Sequence, residues 1–568
     1  MSNTHRNPTD TEINAVIKFY TSGQIEEARA VLIRLTRKYP NEALLYNFLG
    51  VCYATLNQTE AAFGSFESAL RINPDNAEVH YNLGNTLKAC DRLNASIKSY
   101  TRALEINPFH ADTHINLGNA FKGIGNIEKA VSHYEHAIQI NPSYTEAHCN
   151  LGNTLHVIGN LEAAISCYQQ ALSIDPSDAE AHNCLGNTYN DLGKTDAALS
   201  AIEQALTIKP TNPQFWASYA TALHQKKFKT FNESFSNYLV KALQQPTINP
   251  NYIAPAIVSA LQQHPKIKLA IKASKNDLIE KNLPFFSDQL ASISLFLALL
   301  ENCPIADPEI EYLLTQMRRA TLNQLFDSVL NGIDFSFYYS LALHCFTNEY
   351  IFFETDEEIQ NVTKLENKIN YQVNNNLPIP PIWIVLLAAY RPLHNYLWAE
   401  QLQKTALPVN SHKILARQLF DIKKEQHLKT KIHQLTSIND STPNAVKEQY
   451  EQNPYPRWIN PGLFHNPKTI RENLHAINPQ LSIDDNHYSK MPNILIAGCG
   501  TGQHALNSQS RFLNCTVLAI DLSLNSLSYA MRKTHELSIT NINYQQADIL
   551  ELQTLDLQFD VIESVGVL

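Results

Sequence analysis

Three glycines in five residues, Gly498-Cys499-Gly500-Thr501-Gly502, follow directly on the apolar run Asn493-Ile494-Leu495-Ile496-Ala497. The run reads as a buried strand and the residues from about Gln503 read as a helix, so the glycines form a strand-to-helix turn. Such a turn brings a ligand against backbone N–H groups at the partly positive end of a helix. Two carboxylates occupy matching places further on. CTVLAIDLSLNSLSYAMRK is a second strand ending in Asp521, 19 residues after Gly502, where an acidic side chain can accept from both hydroxyls of a ribose. INYQQADILEL is a third strand followed by Asp548, which reads either as a ligand contact or as the N-cap of the next helix. LQFDVIESVGVL is a fourth. Strands alternating with helices predict a Rossmann-like, doubly wound α/β sheet with its ligand at the carboxyl ends of the strands.

A dinucleotide fingerprint needs a further glycine at 503, and that residue is Gln503; a phosphate loop needs Gly-Lys-Ser/Thr, which is absent. The order GCGTG, Asp521, Asp548 resembles the class I S-adenosylmethionine-dependent methyltransferases. The resemblance implies S-adenosylmethionine as cofactor, its methionine end on Gly498, Gly500 and Gly502, its ribose on Asp521 and its adenine amino group at Asp548. Leu522 and Ile549 then flank the adenine. Many relatives carry an acidic residue two before the first glycine, where this chain has Ile496 and loses one polar contact. The cofactor carries the reactive group and the protein mainly positions it, so no catalytic residue emerges.

A polar linker, Thr436–Ala445, precedes VKEQYEQNPYPRWINPG. Its aromatic and proline density suits a stiff segment packed on a domain. A similar string precedes the methyltransferase domain of bacterial proteins that join such a domain to helical repeats. That resemblance implies that Tyr450, Tyr455 and Arg457 fold over the cofactor mouth. The wording HCFTNEYIFFETDEE and LAAYRPLHNYLWAE upstream is similar to the helical middle region of the same proteins. Four strands are fewer than a full sheet of that family, so the expectation is a C-terminally truncated, incomplete domain, inactive by itself.

The elements before it are periodic. Pro40, Pro74, Pro108, Pro142, Pro176 and Pro210 recur every 34 residues, and Gly50, Gly84, Gly118, Gly152 and Gly186 keep the same period. The unit resembles the tetratricopeptide repeat, a helix–turn–helix of that length, with its best copies over 43–212. Thr9–Glu42 is a weaker first copy with Val16 in place of the glycine, and Pro213–Pro246 is a degenerate last one. One repeat cannot bury its own apolar face, so the array stacks into a superhelix with a concave groove. The first helices carry Asn82 and Asn85, Asn116 and Asn119, Asn150 and Asn153, each pair on one helix face. Asparagine is a mediocre helix former, so its recurrence needs a reason. A ladder of amides gripping an extended peptide is one reading, similar to the repeat superhelix of O-linked N-acetylglucosamine transferases. Bonding between neighbouring helices is the other. Asn82, Asn116 and Asn150 are the partner-binding candidates. Cys184 interrupts the ladder, while His80, His114, His148 and His182 read as packing residues at the large-residue position.

Between these parts, helical patterning continues without the period. His344-Cys345 reads as core and Arg318-Arg319 as a solvated face. The 568 residues therefore divide into repeats over 9–246, a helical middle domain over 247–437, a lead-in over 438–490 and the sheet from 491. Only 17 glycines, about 3% against a usual ~7%, fit a mainly helical chain. A net charge of −10 without a basic run argues against nucleic acid as partner. Nine cysteines without a CxxC pair make neither a disulfide framework nor a metal site, and no stretch is apolar for long enough to span a membrane. The expectation is a cytoplasmic methyltransferase whose repeats recruit a peptide or protein. The alternative is a non-enzymatic scaffold carrying a vestigial domain.

Overall fold

The computed structural model describes residues 8–224, 226–325, 334–404, 408, 411–436, 457–464, 466–477, 489–554 and 556–565. Contacts divide the chain into two compact units, Met1–Pro210 and Thr211–Leu568.

The first unit is a run of helix pairs from Asp10–Thr21 with Ile25–Lys38 to Ala179–Asp191 with Thr195–Ile208. The second helices of the four middle pairs end at Ile72, Ile106, Ile140 and Ile174, each just before an Asn-Pro or Asp-Pro pair. The residue before a proline is pushed out of the α region, which stops the helix there. The turn inside each pair has its own periodic residue: Gly23, Asn57, Asp91, Gly125, Gly159 and Gly193 all have φ between 57° and 79°. Glycine adopts that left-handed backbone freely, and Asn and Asp are the best substitutes.

Close approach within a pair explains the second periodic glycine. A Cβ on Gly84, Gly118 or Gly152 would come within 2.5, 2.7 or 2.8 Å of the ring of Tyr100, Tyr134 or Tyr168. Those rings are fully buried and anchor the seams, as where Tyr134 packs with Leu117, Ala120, Phe121 and Ala130. The histidines do more than fill space. Nε2 of His80, His114, His148 and His182 bonds the carbonyl of Pro74, Pro108, Pro142 and Pro176 at 3.0, 3.2, 3.0 and 3.1 Å. Each imidazole thus ties its helix to the turn before it.

The second unit begins with the helices Pro213–Leu223 and Glu233–Leu243, so the last degenerate copy of the repeat belongs with the helices after it. Helices continue to Lys429, and His344 and Cys345 are buried in the Ser336–Thr347 helix. Arg318 does not lie on a solvated face. It is fully buried, its guanidinium 4.0 Å from the centre of the Tyr390 ring and 3.8 Å from the Glu358 carboxylate. The reason is coverage: the Pro308–Gln324 helix is packed by both the Asp356–Asn374 and Pro265–Ser274 helices. A buried cation needs such a partner.

The unit ends in a parallel sheet of five strands: β1 (His433–Gln434), β2 (Asn493–Ala497), β3 (Thr516–Asp521), β4 (Ile542–Gln546) and β5 (Val561–Ser564). Their spatial order is β1-β4-β3-β2-β5. The sequence predicts four, and the fifth comes from the end of the helical region: His433 and Gln434 pair with Gln545 and Gln546. Two exposed polar residues carry no strand pattern, which hides β1 in the sequence. Ile494, Ile496, Val517 and Ala519 face the Gln503–Arg511 and Leu524–Glu536 helices through one core. Leu495, Ala497 and Ile520 form a second cluster on the other face. Between β2 and β5 the strand order reverses, the place where sheets of this kind open a ligand crevice.

Candidate functional site

The glycine turn lies at the carboxyl end of β2. Gly498, Gly500 and Gly502 all have positive φ, 75°, 51° and 84°, a backbone that other residues adopt only under strain. Two of them serve different ends. A Cβ on Gly502 would sit 2.4 Å from the Ala530 Cβ, so this glycine lets the turn rest on the Leu524–Glu536 helix. Nothing lies within 4 Å of where a Cβ on Gly500 would be, so that side of the turn is open. The N–H groups of Gly498 and Cys499 both reach the Ile520 carbonyl at 2.9 Å, which fixes the turn against β3.

Asp521, the last residue of β3, holds the turn from the side. One carboxylate oxygen accepts from the Gly500 N–H at 2.8 Å and the other from the Ser523 N–H at 2.9 Å. Leu522 comes next, its carbonyl held by the Gln546 side chain at 2.8 Å. Asp548 is buried; its carboxylate accepts from the Leu550 N–H at 3.0 Å and its own N–H donates to the Thr436 hydroxyl at 2.8 Å. The capping contact that the sequence offers as its alternative is therefore present, and Ile549 opens the short helix it caps. Ile496 is buried in the core beneath the helices, where a carboxylate would have had no water.

Sequence reasoning misses three contributors. Thr436, by sequence the start of a linker, reaches Asp548 across 112 residues. Glu563 on β5 binds the Gln503–Arg511 helix through His504 at 2.7 Å, and through Ser508 and Arg511. Burial pushes the Glu563 carboxyl up, but those donors outweigh it and hold it below its ordinary range. Trp458 donates its indole N–H to the Thr501 carbonyl at 3.0 Å. Of the lead-in residues, Tyr450 and Tyr455 lie outside the described residues. Arg457 is buried and committed to Glu349 at 2.5 Å, with its guanidinium over the Phe346 ring, so it does not offer a free cation to an acceptor.

In the repeats the paired asparagines separate by role. Asn85, Asn119 and Asn153 each accept from the hydroxyl of Tyr100, Tyr134 and Tyr168 at 2.7 Å, a bond within the repeat. A tyrosine 15 residues after each asparagine was the available signal. Asn82, Asn116 and Asn150 are half-buried. Asn82 donates to Asn47 at 3.1 Å, and Asn116 donates to the Tyr81 hydroxyl at 3.3 Å while accepting from Lys88 at 2.5 Å. Among the described residues, Asn150 donates to Glu146 of its own helix, at 3.5 Å.

Comparison with known proteins finds matches in two parts of the chain. Profiles described as tetratricopeptide or TPR repeats match residues 14–77, 77–110, 124–159, 156–193 and 179–212. A profile described as a methyltransferase domain matches 494–568. Among solved structures, YrrB, described as a TPR protein with an unusual peptide-binding site, is 22% identical, covering 34% of this chain and 96% of its own with a TM-score of 0.30. The MamA protein of Desulfovibrio magneticus is 20% identical over 30% of this chain and 95% of its own, with a TM-score of 0.28. Pseudomonas aeruginosa pilF is 18% identical over 37% and 94%, with a TM-score of 0.34. No curated protein matches the chain. The chain thus carries tetratricopeptide repeats through its N-terminal part and a methyltransferase domain over residues 494–568.

Proposed function

We propose that the chain transfers a methyl group from S-adenosylmethionine to an acceptor that its repeats recruit as a peptide or protein. The observation that carries this reading is the left-handed glycine turn locked to Asp521, with open space on the Gly500 side. Bound there, the cofactor would supply a methyl group on a sulfonium, ready for displacement by a nucleophile. The chain's own groups would hold it. The turn of Gly498, Gly500 and Gly502 suits the methionine end, because its open Gly500 side lets a ligand approach the backbone closely. Asp521 suits the ribose hydroxyls, because each carboxylate oxygen can accept more than one hydrogen bond. Asp548, Leu522 and Ile549 would meet the adenine. We assign Asn82, Asn116 and Asn150 to the backbone of the recruited peptide; their part-exposed amides, one in each of three successive repeats, support this. We place the protein in the cytoplasm, which its nine cysteines, all free thiols, suit.

Titration of the full chain with S-adenosylhomocysteine, wild type against Asp521→Ala, tests the site. A hydrogen bond to a charged group is worth about 1.5–3 kcal/mol, so affinity should fall roughly tenfold to a hundredfold. Equal affinity in the two proteins would remove Asp521 from the site.

A further inference from the structure

The segment Arg457-Trp458-Ile459 joins two parts of the second unit that the sequence keeps far apart. Trp458 is 2% exposed and packs edge-on against Tyr529, ring centres 5.8 Å apart, in one cluster with Leu506. Its indole N–H is spent on the glycine turn, at the Thr501 carbonyl. Three contacts then fix the segment itself. The Tyr529 hydroxyl donates to the Trp458 carbonyl at 2.5 Å and Lys533 donates to the Ile459 carbonyl at 2.9 Å. Arg457 anchors to Glu349, which directly follows the Ser336–Thr347 helix and its cap. Glu349 and its neighbour Tyr350 are both left-handed, φ 57° and 56°, an unusual pair of non-glycine residues in that strained region. Such strain persists where surrounding structure holds a group in a required place. Here that group is the carboxylate facing Arg457.

We infer that Trp458 is a positioning residue for the cofactor turn, and that the segment bearing it makes the shape of that turn depend on the helical region through Glu349. The inference rests on the proposed cofactor site for its functional meaning, but not for its geometry. The turn has three left-handed glycines and an open side, so it has little stiffness of its own. A buried indole bonded to Thr501, the residue between Gly500 and Gly502, supplies it. Asp521 holds one flank of the turn and Trp458 the other.

Trp458→Phe keeps a ring in the cluster and removes the donor. Hydrogen exchange on the full chain should then show the amides of Gly500–Gly502 exchanging about tenfold faster, with those of Ile494–Ala497 unchanged. S-adenosylhomocysteine affinity should fall about fivefold or more. Tyr529→Phe, which frees the Trp458 carbonyl, should act in the same direction more weakly, and it stands in if Trp458→Phe does not fold. Unchanged exchange in the turn overturns the inference. So does an equal rise through the turn, β2 and the Leu524–Glu536 helix, which marks Trp458 as general packing. If wild type binds no S-adenosylhomocysteine, the cofactor reading fails, and the exchange data alone still decide whether Trp458 positions the turn.

Discussion

Replacing Glu358 by alanine is expected to lower the stability of the Thr211–Leu568 unit by about 3–5 kcal/mol, the cost of leaving a buried charge without its partner. Glu358 is fully buried and collects groups from four residues. Arg319 donates to it at 2.9 Å, Tyr390 at 2.9 Å and the Thr355 N–H at 3.0 Å, with Arg318 at 3.8 Å. Burial pushes its carboxyl up, but the donors outweigh burial and keep it below its ordinary range. Arg318 is the group at risk, since a guanidinium cannot shed its proton to escape. The substitution also removes half of a capping box at the start of the Asp356–Asn374 helix. All four tryptophans, Trp216, Trp383, Trp398 and Trp458, lie in this unit. Urea denaturation followed by tryptophan fluorescence therefore reads it separately from the repeats. A change below about 1 kcal/mol would mean that the ion pair carries little. Replacing Arg318 and Glu358 together by Met and Leu should recover most of the loss.

Changing Asn82, Asn116 and Asn150 to alanine together should weaken capture of a display-selected peptide tenfold or far more. Each amide contact is worth about 0.5–1.5 kcal/mol net, and the three act on one extended ligand. Helicity by circular dichroism should stay at the wild-type value. Asn119→Ala is the opposite control: it breaks the bond to the Tyr134 hydroxyl, so it should lower thermal stability and leave peptide affinity alone. If the triple variant loses stability and keeps affinity, the first asparagines are as structural as the second.

Most of the array was legible because a period of 34 residues exposes every departure from it. Gly84 and Tyr100 are readable as a contact only through repetition, since the same spacing recurs as Gly118 with Tyr134 and Gly152 with Tyr168. The asparagine pairs were half legible: their recurrence is plain, but the split of roles depends on which amide finds a tyrosine hydroxyl. The glycine turn and Asp521 were legible because their chemistry needs fixed residue types in fixed order. Distant partners were not. Trp458 meets Thr501 across 43 residues and β1 meets β4 across 112, and neither leaves a local pattern. Arg318-Arg319 looked like surface because local sequence cannot show that both sides of a helix are covered. Burial is a property of neighbours, and those come from elsewhere in the chain.

The turn after β2 is expected to take S-adenosylmethionine. Calorimetric titration of the full chain with S-adenosylmethionine and, in a second cell, with NAD tests it most directly. Saturable, one-to-one binding of S-adenosylmethionine and none of NAD is expected, since Gln503 stands where a dinucleotide turn needs glycine. Binding of NAD, or of neither ligand, would contradict this expectation.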